Sequence, residues 1–145
     1  MGKKPEYHLS TSMREGIIEI VITGEIEMNA VEKLQNEVIA IEKSMNSKSV
    51  LIDVRGIKGR FGPAEAYFRV RNYPPDKPRM DTAVVDLQEN DSYETFHEIT
   101  ARNAGLSFKC FTEIDAARSW LKSRQKESAS QAVIASKKEM KRQFR

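Results

Sequence analysis

The chain has 145 residues and a formal net charge of +3, with 39% hydrophobic and 31% charged residues. Such a composition is typical of one globular domain and excludes fibrous and largely disordered proteins. No apolar run approaches the roughly 18–20 residues that a membrane-spanning helix needs, and the first residues lack the apolar segment of a secretory signal. The single cysteine, Cys110, excludes an intrachain disulfide and a cysteine metal cluster. We therefore expect a reducing, cytoplasmic setting.

The positive charge is concentrated at one end of the chain. From Lys122 to Arg145 there are eight Lys and Arg residues and two Glu residues, so this tail carries +6 and the preceding residues carry −3. We divide the chain into a polar lead-in at 1–6, a domain at 7–124 and a basic helical or flexible extension at 125–145. The extension could lengthen the last helix, pack on a second copy of the chain, bind an acidic partner or touch anionic lipid. It lacks the interleaved aromatic residues of a single-strand binder, which makes nucleic acid an unlikely partner.

The first third of the chain predicts a hairpin followed by a helix. Residues 7–14 alternate between apolar and polar, Glu15 and Gly16 form a turn signal, and residues 17–23 form a β-branched strand. Apolar residues then recur at three- and four-residue steps over 31–45, which predicts an amphipathic helix. Asn29 is the expected N-cap of that helix.

The rest of the chain alternates strands with helices. Apolar strands are predicted at 50–54, 81–86 and 106–111. Helices are predicted after Pro63, after Asp91 and after Thr112, the one after Asp91 with a buried stripe of Tyr93, Phe96, Ile99 and Ala104 and with Gly105 as its C-cap. The order β-β-α-β-α-β-α-β-α predicts an α/β fold, a five-stranded mixed sheet with four helices, because successive strand–helix–strand units pair their strands in parallel.

A glycine-rich basic loop follows the third predicted strand, where open α/β sheets usually place a ligand site. Its candidate anion-binding residues are Arg55, Gly56, Lys58, Gly59 and Arg60. Free backbone N–H groups at a helix start, together with these cations, could face a phosphate or a carboxylate. The alternative is a solvated loop whose glycines adopt positive φ. Asp53, at the strand end, is expected to bond turn amides more than to act in catalysis.

Aromatic residues and prolines follow that loop. Phe61, Tyr67, Phe68 and Tyr73 could wall an apolar pocket or form a partner surface. The competing interpretation places Tyr67 and Phe68 in the core.

Candidate catalytic groups are few. Cys110 lies in an apolar strand and is expected to be an inert thiol. His97 and Glu98, on a predicted helix with Asp91 and Glu94, could ligate a metal, but a solvated helix face is the favoured interpretation. We therefore predict no catalytic residue, no metal and no cofactor.

Several segments, taken in order, resemble the STAS domain superfamily and, within it, the SpoIIAA-like branch of small, mostly uncharacterised bacterial proteins. The segments are residues 17–26, the strand and turn at 51–56, residues 82–85 and the ending at 110–121. The resemblance implies a five-stranded sheet. It also implies a Ser or Thr after the third strand, which in the anti-sigma-factor antagonists of this superfamily is phosphorylated to switch partner binding. Residues 53–62 contain no Ser, Thr or Tyr, so that switch is not carried over.

Three functions remain open from the sequence. The first is a non-enzymatic regulatory module that binds a protein or a small anionic ligand at the face formed by residues 55–75. The second is a carrier of a lipid or another amphipathic small molecule in an apolar pocket, since the resemblance extends to relatives that fold like CRAL-TRIO lipid-transfer domains. The third, least favoured, is a small hydrolase or transferase. The chain could also form a homodimer, and its basic tail could make peripheral contact with a membrane.

Overall fold

A computed structural model describes residues 7–60 and 78–143. The strands are β1 (Tyr7–Arg14), β2 (Ile17–Glu25), β3 (Ser49–Lys58), β4 (Asp81–Val85) and β5 (Ser107–Phe111). The α-helices within these ranges are α1 (Val31–Ser44), α2 (Asp91–Asn103) and α3 (Ile114–Gln143). Single 3-10 turns, Met28–Ala30 and Gln88–Asn90, precede α1 and α2.

The strands form one mixed sheet in the order β1-β2-β3-β4-β5. β1 and β2 pair antiparallel, whereas β2, β3, β4 and β5 pair in parallel. The hairpin between β1 and β2 turns at Glu15 and Gly16, both of which have positive φ, as a two-residue type I′ turn requires. The five-stranded mixed sheet predicted from the sequence is confirmed.

Two apolar layers cover the two faces of this sheet. On one face, α1 buries Leu34 against Ile18, Ile20 and Val50, and α2 buries Ala101 near the β4 and β5 side chains Val84 and Phe108. On the other face, α3 buries Ala117 and Leu121 against Ile17, Leu51 and Val85. Full burial of each large aliphatic side chain contributes about 1.5–3 kcal/mol, so these layers fix the positions of the strand ends.

Several predicted boundaries differ from the observed ones. The helix predicted after Pro63 lies outside the described residues. The predicted cap at Asn29 is wrong, because residues 28–30 form a 3-10 turn and Ala30 precedes α1 without a side-chain cap. β3 is longer than predicted and continues through Arg55 and Gly56 to Lys58.

The buried face of α2 is also not the predicted one. Phe96 and Ile99, expected in the core, are 39% and 52% exposed. Glu94 and His97, expected on a solvated face, are buried instead. The His97 ring stacks on Phe108 of β5 with centroids 4.9 Å apart, so an aromatic contact with the sheet determines which face of α2 points inward.

The last helix is much longer than its contact with the sheet. α3 has 30 residues, which is about 45 Å of helix. It packs on the sheet up to Gln125, whose side chain lies against the β1–β2 turn, and residues 126–142 are exposed. None of the helices in the described ranges combines the length and apolar character that crossing a bilayer requires.

Candidate functional site

The carboxyl end of β3 leaves the regular sheet at a bulge. The pairing of β3 with β2 shifts register after Asp53, so that Gly56 lies opposite Thr23. A Cβ atom at Gly56 would lie 2.6 Å from Thr23 Cγ2, so this close approach of two strands requires glycine. The strand then ends at Lys58, and the next residue, Gly59, adopts a φ of +78°. The predicted anion-binding residues therefore lie on a fixed strand end.

Arg55 is held by the carboxylate of Asp53. Its guanidinium donates from Nε to Oδ1 at 3.0 Å and from Nη2 to Oδ2 at 2.7 Å, and its backbone N–H donates to Oδ1 at 3.1 Å. Burial alone would raise the pKa of Asp53, but these bonds outweigh it and hold the pKa below its usual value. Asp53 thus bonds the turn amide, as the sequence predicted, and also forms an ion pair with Arg55.

A second acidic side chain extends this charged network. Arg118 of α3 donates to both carboxylate oxygens of Glu19 on β2, at 2.8 and 2.9 Å. Its charge also acts on Asp53, so the two pairs lie on the sheet face that α3 covers. Sequence analysis missed this network. The signal for it was Glu19 itself, a charged residue inside an otherwise apolar strand.

Arg60 is fixed in a different place. It forms a bidentate pair with Asp86, which follows β4. Its remaining N–H groups donate to the carbonyl oxygens of Val54, Ile57 and Gly59. Only 12% of its side chain and 2% of the Asp86 side chain are exposed. Arg60 therefore connects the end of β3 to the end of β4, and its donors are all used.

The three predicted cations do not converge. Arg55 points to the α3 side of the sheet, whereas Arg60 lines the opposite side, between α1 and α2. Lys58 is exposed and forms no ion pair with a carboxylate of the described residues. Lys58 and the 40% exposed side chain of Arg55 are thus the cations that a ligand can reach at this strand end.

A groove of about 700 Å³ lies between α1 and α2. Its apolar floor and walls include Ile52, Val54, Ile57, Val84, Leu34 and Val38. The connection from β3 to β4, residues 61–77, lies outside the described residues. The predicted aromatic site residues Phe61, Tyr67, Phe68 and Tyr73 belong to that connection and also lie outside the described residues.

The thiol of Cys110 is poorly suited to nucleophilic chemistry. Burial, and then the nearby carboxylates of Glu94 and Glu98, raise the pKa of this thiol well above its usual value. A protonated thiol is neither a good nucleophile nor a metal ligand. Residues 7–60 and 78–143 contain no group of three or more His, Cys, Asp or Glu side chains placed to hold a metal ion.

Comparison with known proteins shows similarity in structure alone. No family model and no curated protein matches the sequence. The crystal structure of an anti-sigma factor antagonist from Mycobacterium paratuberculosis superposes with a TM-score of 0.53 and 14% identity over 81% of this chain and 95% of that one. An uncharacterized DUF3478-family protein with a SpoIIAA-like fold, from Shewanella loihica, superposes with a TM-score of 0.50 and 13% identity over 83% of this chain and 98% of that one.

The chain has the STAS, or SpoIIAA-like, fold. The resemblance inferred from the sequence is therefore confirmed at the level of the fold. Identities of 13–14% show a shared architecture and do not show a shared function.

Proposed function

We propose that this protein is a non-enzymatic binding module that contacts an acidic protein partner at the end of β3. The contact surface, here called the β3 tip, consists of Lys58 and Gly59, with Arg55 at its edge on the α3 side. Lys58 is the observation that carries the proposal, because it is an exposed cation on a backbone that neighbouring residues fix in place. A preorganised surface binds with less loss of conformational entropy than a mobile loop does.

The surrounding charges support binding more than catalysis. Glu19, Asp53 and Asp86 each hold an arginine in a close pair, so these carboxylates are committed to structure. Hydrolysis or group transfer would need a general base or nucleophile at this strand end, and Cys110 is kept protonated by its surroundings. We place this interaction in the cytoplasm, the setting that the sequence predicts.

The test compares two charge reversals that differ in position. Wild type, Lys58→Glu and Lys33→Glu serve as baits in extracts of the source cells, with quantitative mass spectrometry of the bound proteins. Lys33 is the matched control, since it is an exposed lysine on the outer surface of α1. We expect proteins enriched by wild type and by Lys33→Glu to be depleted with Lys58→Glu. If all three baits retain the same proteins, the β3 tip is not the contact surface.

A small anion is the simplest competitor for the same surface. Calorimetry with inorganic phosphate, comparing wild type with Arg55→Ala plus Lys58→Ala, distinguishes a small anionic ligand from a protein partner. Phosphate binding that the double substitution removes would favour an anionic small molecule. No phosphate binding, together with Lys58-dependent enrichment, would favour a protein.

A second candidate function is the transport of an amphipathic small molecule, and the apolar groove between α1 and α2 favours it. Such a ligand would need part of the groove to stay open in the complete chain. Native mass spectrometry of protein from its own source would then show an adduct of small mass. Ile57→Arg, at the groove, should reduce the adduct, whereas Val21→Arg on the other face should retain it. An adduct-free wild-type spectrum counts against a carrier.

A further inference from the structure

The two edges of the sheet are protected to different degrees. β5 is a short edge strand of five residues, and it carries a lysine, Lys109. The backbone N–H of Cys110 donates to Glu98 Oε1 at 2.8 Å, so a side chain of α2 satisfies an edge amide. Short length, a charge and a covering side chain are the ways in which proteins prevent an edge strand from pairing with another chain.

The opposite edge has none of these protections among residues 7–60 and 78–143. β1 has eight residues, and all eight pair with β2 in an unbroken register. Among the described strands, β1 pairs with β2 alone. Residues 7–13 contain no Lys, Arg, Asp, Glu or Pro. Because half of the backbone N–H and C=O groups of an edge strand point away from its neighbour, β1 offers a regular row of donors and acceptors that pair with no other strand of the described residues.

We propose that β1 pairs antiparallel with β1 of a second copy of this chain. The charge pattern selects this occupant, because a two-fold contact brings identical residues together and a charged strand would repel itself. Residues 7–13 carry no Lys, Arg, Asp or Glu, and the one cation, Arg14, lies at the strand end. Two copies of β1 can therefore pair without opposing like charges along the strand. The product is one continuous sheet of ten strands, five from each copy.

The side chains of β1 favour one register for this pairing. Leu9, Thr11 and Met13 lie opposite Ile22, Ile20 and Ile18 of β2, on the face that α1 covers. A two-fold axis at Thr11 places Thr11 opposite Thr11 and Leu9 opposite Met13. The 44% exposed side chain of Met13 then gains an apolar neighbour, and directly opposed pairs of this kind stabilise a sheet.

The size of the contact predicts a weak dimer. Eight residues of strand span about 27 Å, and a single edge strand buries an area at the low end of specific interfaces. We therefore expect a monomer–dimer equilibrium that depends on concentration. Sedimentation equilibrium of the full chain over a concentration series should show a mass that rises from monomer toward dimer.

A charge exchange at Thr11 tests the register directly. Thr11→Lys alone and Thr11→Glu alone should each raise the dimer dissociation constant about tenfold or more, because like charges then oppose each other across the axis. In an equal mixture of the two variants, the introduced lysine opposes the introduced glutamate across the axis in the mixed dimer. The mixture should therefore dimerise at the same protein concentration as wild type or at a lower one. The matched controls are Thr112→Lys and Thr112→Glu, at an exposed threonine between β5 and α3, and these should dimerise as wild type does.

Three results would overturn the proposal. One is a wild-type chain that stays monomeric at every concentration. Another is a pair of Thr11 variants that dimerise as wild type does, alone and mixed. The third is a dimer whose β1 amides exchange hydrogen at the same rate as in the monomer. The β3 tip takes no part in this contact, so the outcome is independent of the proposed partner binding.

Discussion

Arg60 is the residue whose role changes most between the sequence and the structure. It was predicted to bind an anion, and it instead forms the pair with Asp86 that joins two strand ends. The two residues are 26 positions apart, so no local pattern could have related them. The role of Asp53 was predictable because its bond to the Arg55 N–H spans two residues. Local contacts can thus be read from the sequence, whereas pairs that depend on strand order cannot.

Removal of the Arg60 guanidinium should be costly. Arg60→Met leaves Asp86 buried without its charged partner, and such a change lowers the free energy of unfolding by about 3–5 kcal/mol. Arg55→Met should cost about 1 kcal/mol or less, because the Arg55 side chain is 40% exposed. Urea denaturation of both variants measures the difference. Equal losses would mean that the Arg60–Asp86 pair is not the structural contact described here.

At the scale of elements, hydrophobic pattern predicted the strands better than it predicted the faces of helices. β2 and β3 are largely buried on both sides, so their runs of apolar residues were enough to predict strands. α2 has apolar residues on one side and His97 and Glu94 on the other. The apolar pattern alone predicts that the first side is the buried one. The contacts that decide it, His97 on Phe108 and Glu98 on the Cys110 amide, are made with a strand later in the chain.

The two parts of α3 should differ in their effect on stability. Ala117 and Leu121 are fully buried, whereas residues 126–142 are exposed. A chain that ends at Gln125 should therefore keep its free energy of unfolding within about 0.5 kcal/mol, as surface changes do. Leu121→Ala, the contrasting variant, should lose about 2–5 kcal/mol. Chemical denaturation followed by circular dichroism measures both.

A large loss of free energy of unfolding on truncation at Gln125 would contradict the expectation that residues 126–142 pack on no other part of the protein. Isolated helices of this length are marginal in water, so residues 126–142 should fray unless they pack on something. Truncation at Gln125 would also change the net charge from +3 to −1, since the removed residues carry six cations and two glutamates. The division of the chain at residue 125 stays a prediction that this experiment addresses.

For the whole molecule, two carboxylates connect stability to acid pH. The bonds from Arg55 hold the pKa of Asp53 below its usual value against the opposing effect of burial. The hydrogen bond and charge of Lys122 lower the pKa of Glu15 at the β1–β2 turn. A carboxylate with a depressed folded-state pKa stabilises the protein above its unfolded pKa of about 4 and loses that stabilisation as pH falls through the folded value. Stability should therefore decline below about pH 4.

The two carboxylates can be separated because one is buried and the other is exposed. Urea denaturation of wild type and Asp53→Asn between neutral pH and pH 2 should show a stability difference that is largest at neutral pH and shrinks in acid, since only wild type has an Asp53 carboxylate whose charge is lost there. High salt should reduce the contribution of the exposed Glu15–Lys122 pair and leave most of the Asp53 effect, because solvent ions screen buried pairs less. A constant difference across this pH range would mean that the Asp53–Arg55 pair does not hold the end of β3 in solution, and the rigid β3 tip on which partner binding depends would lose its physical basis.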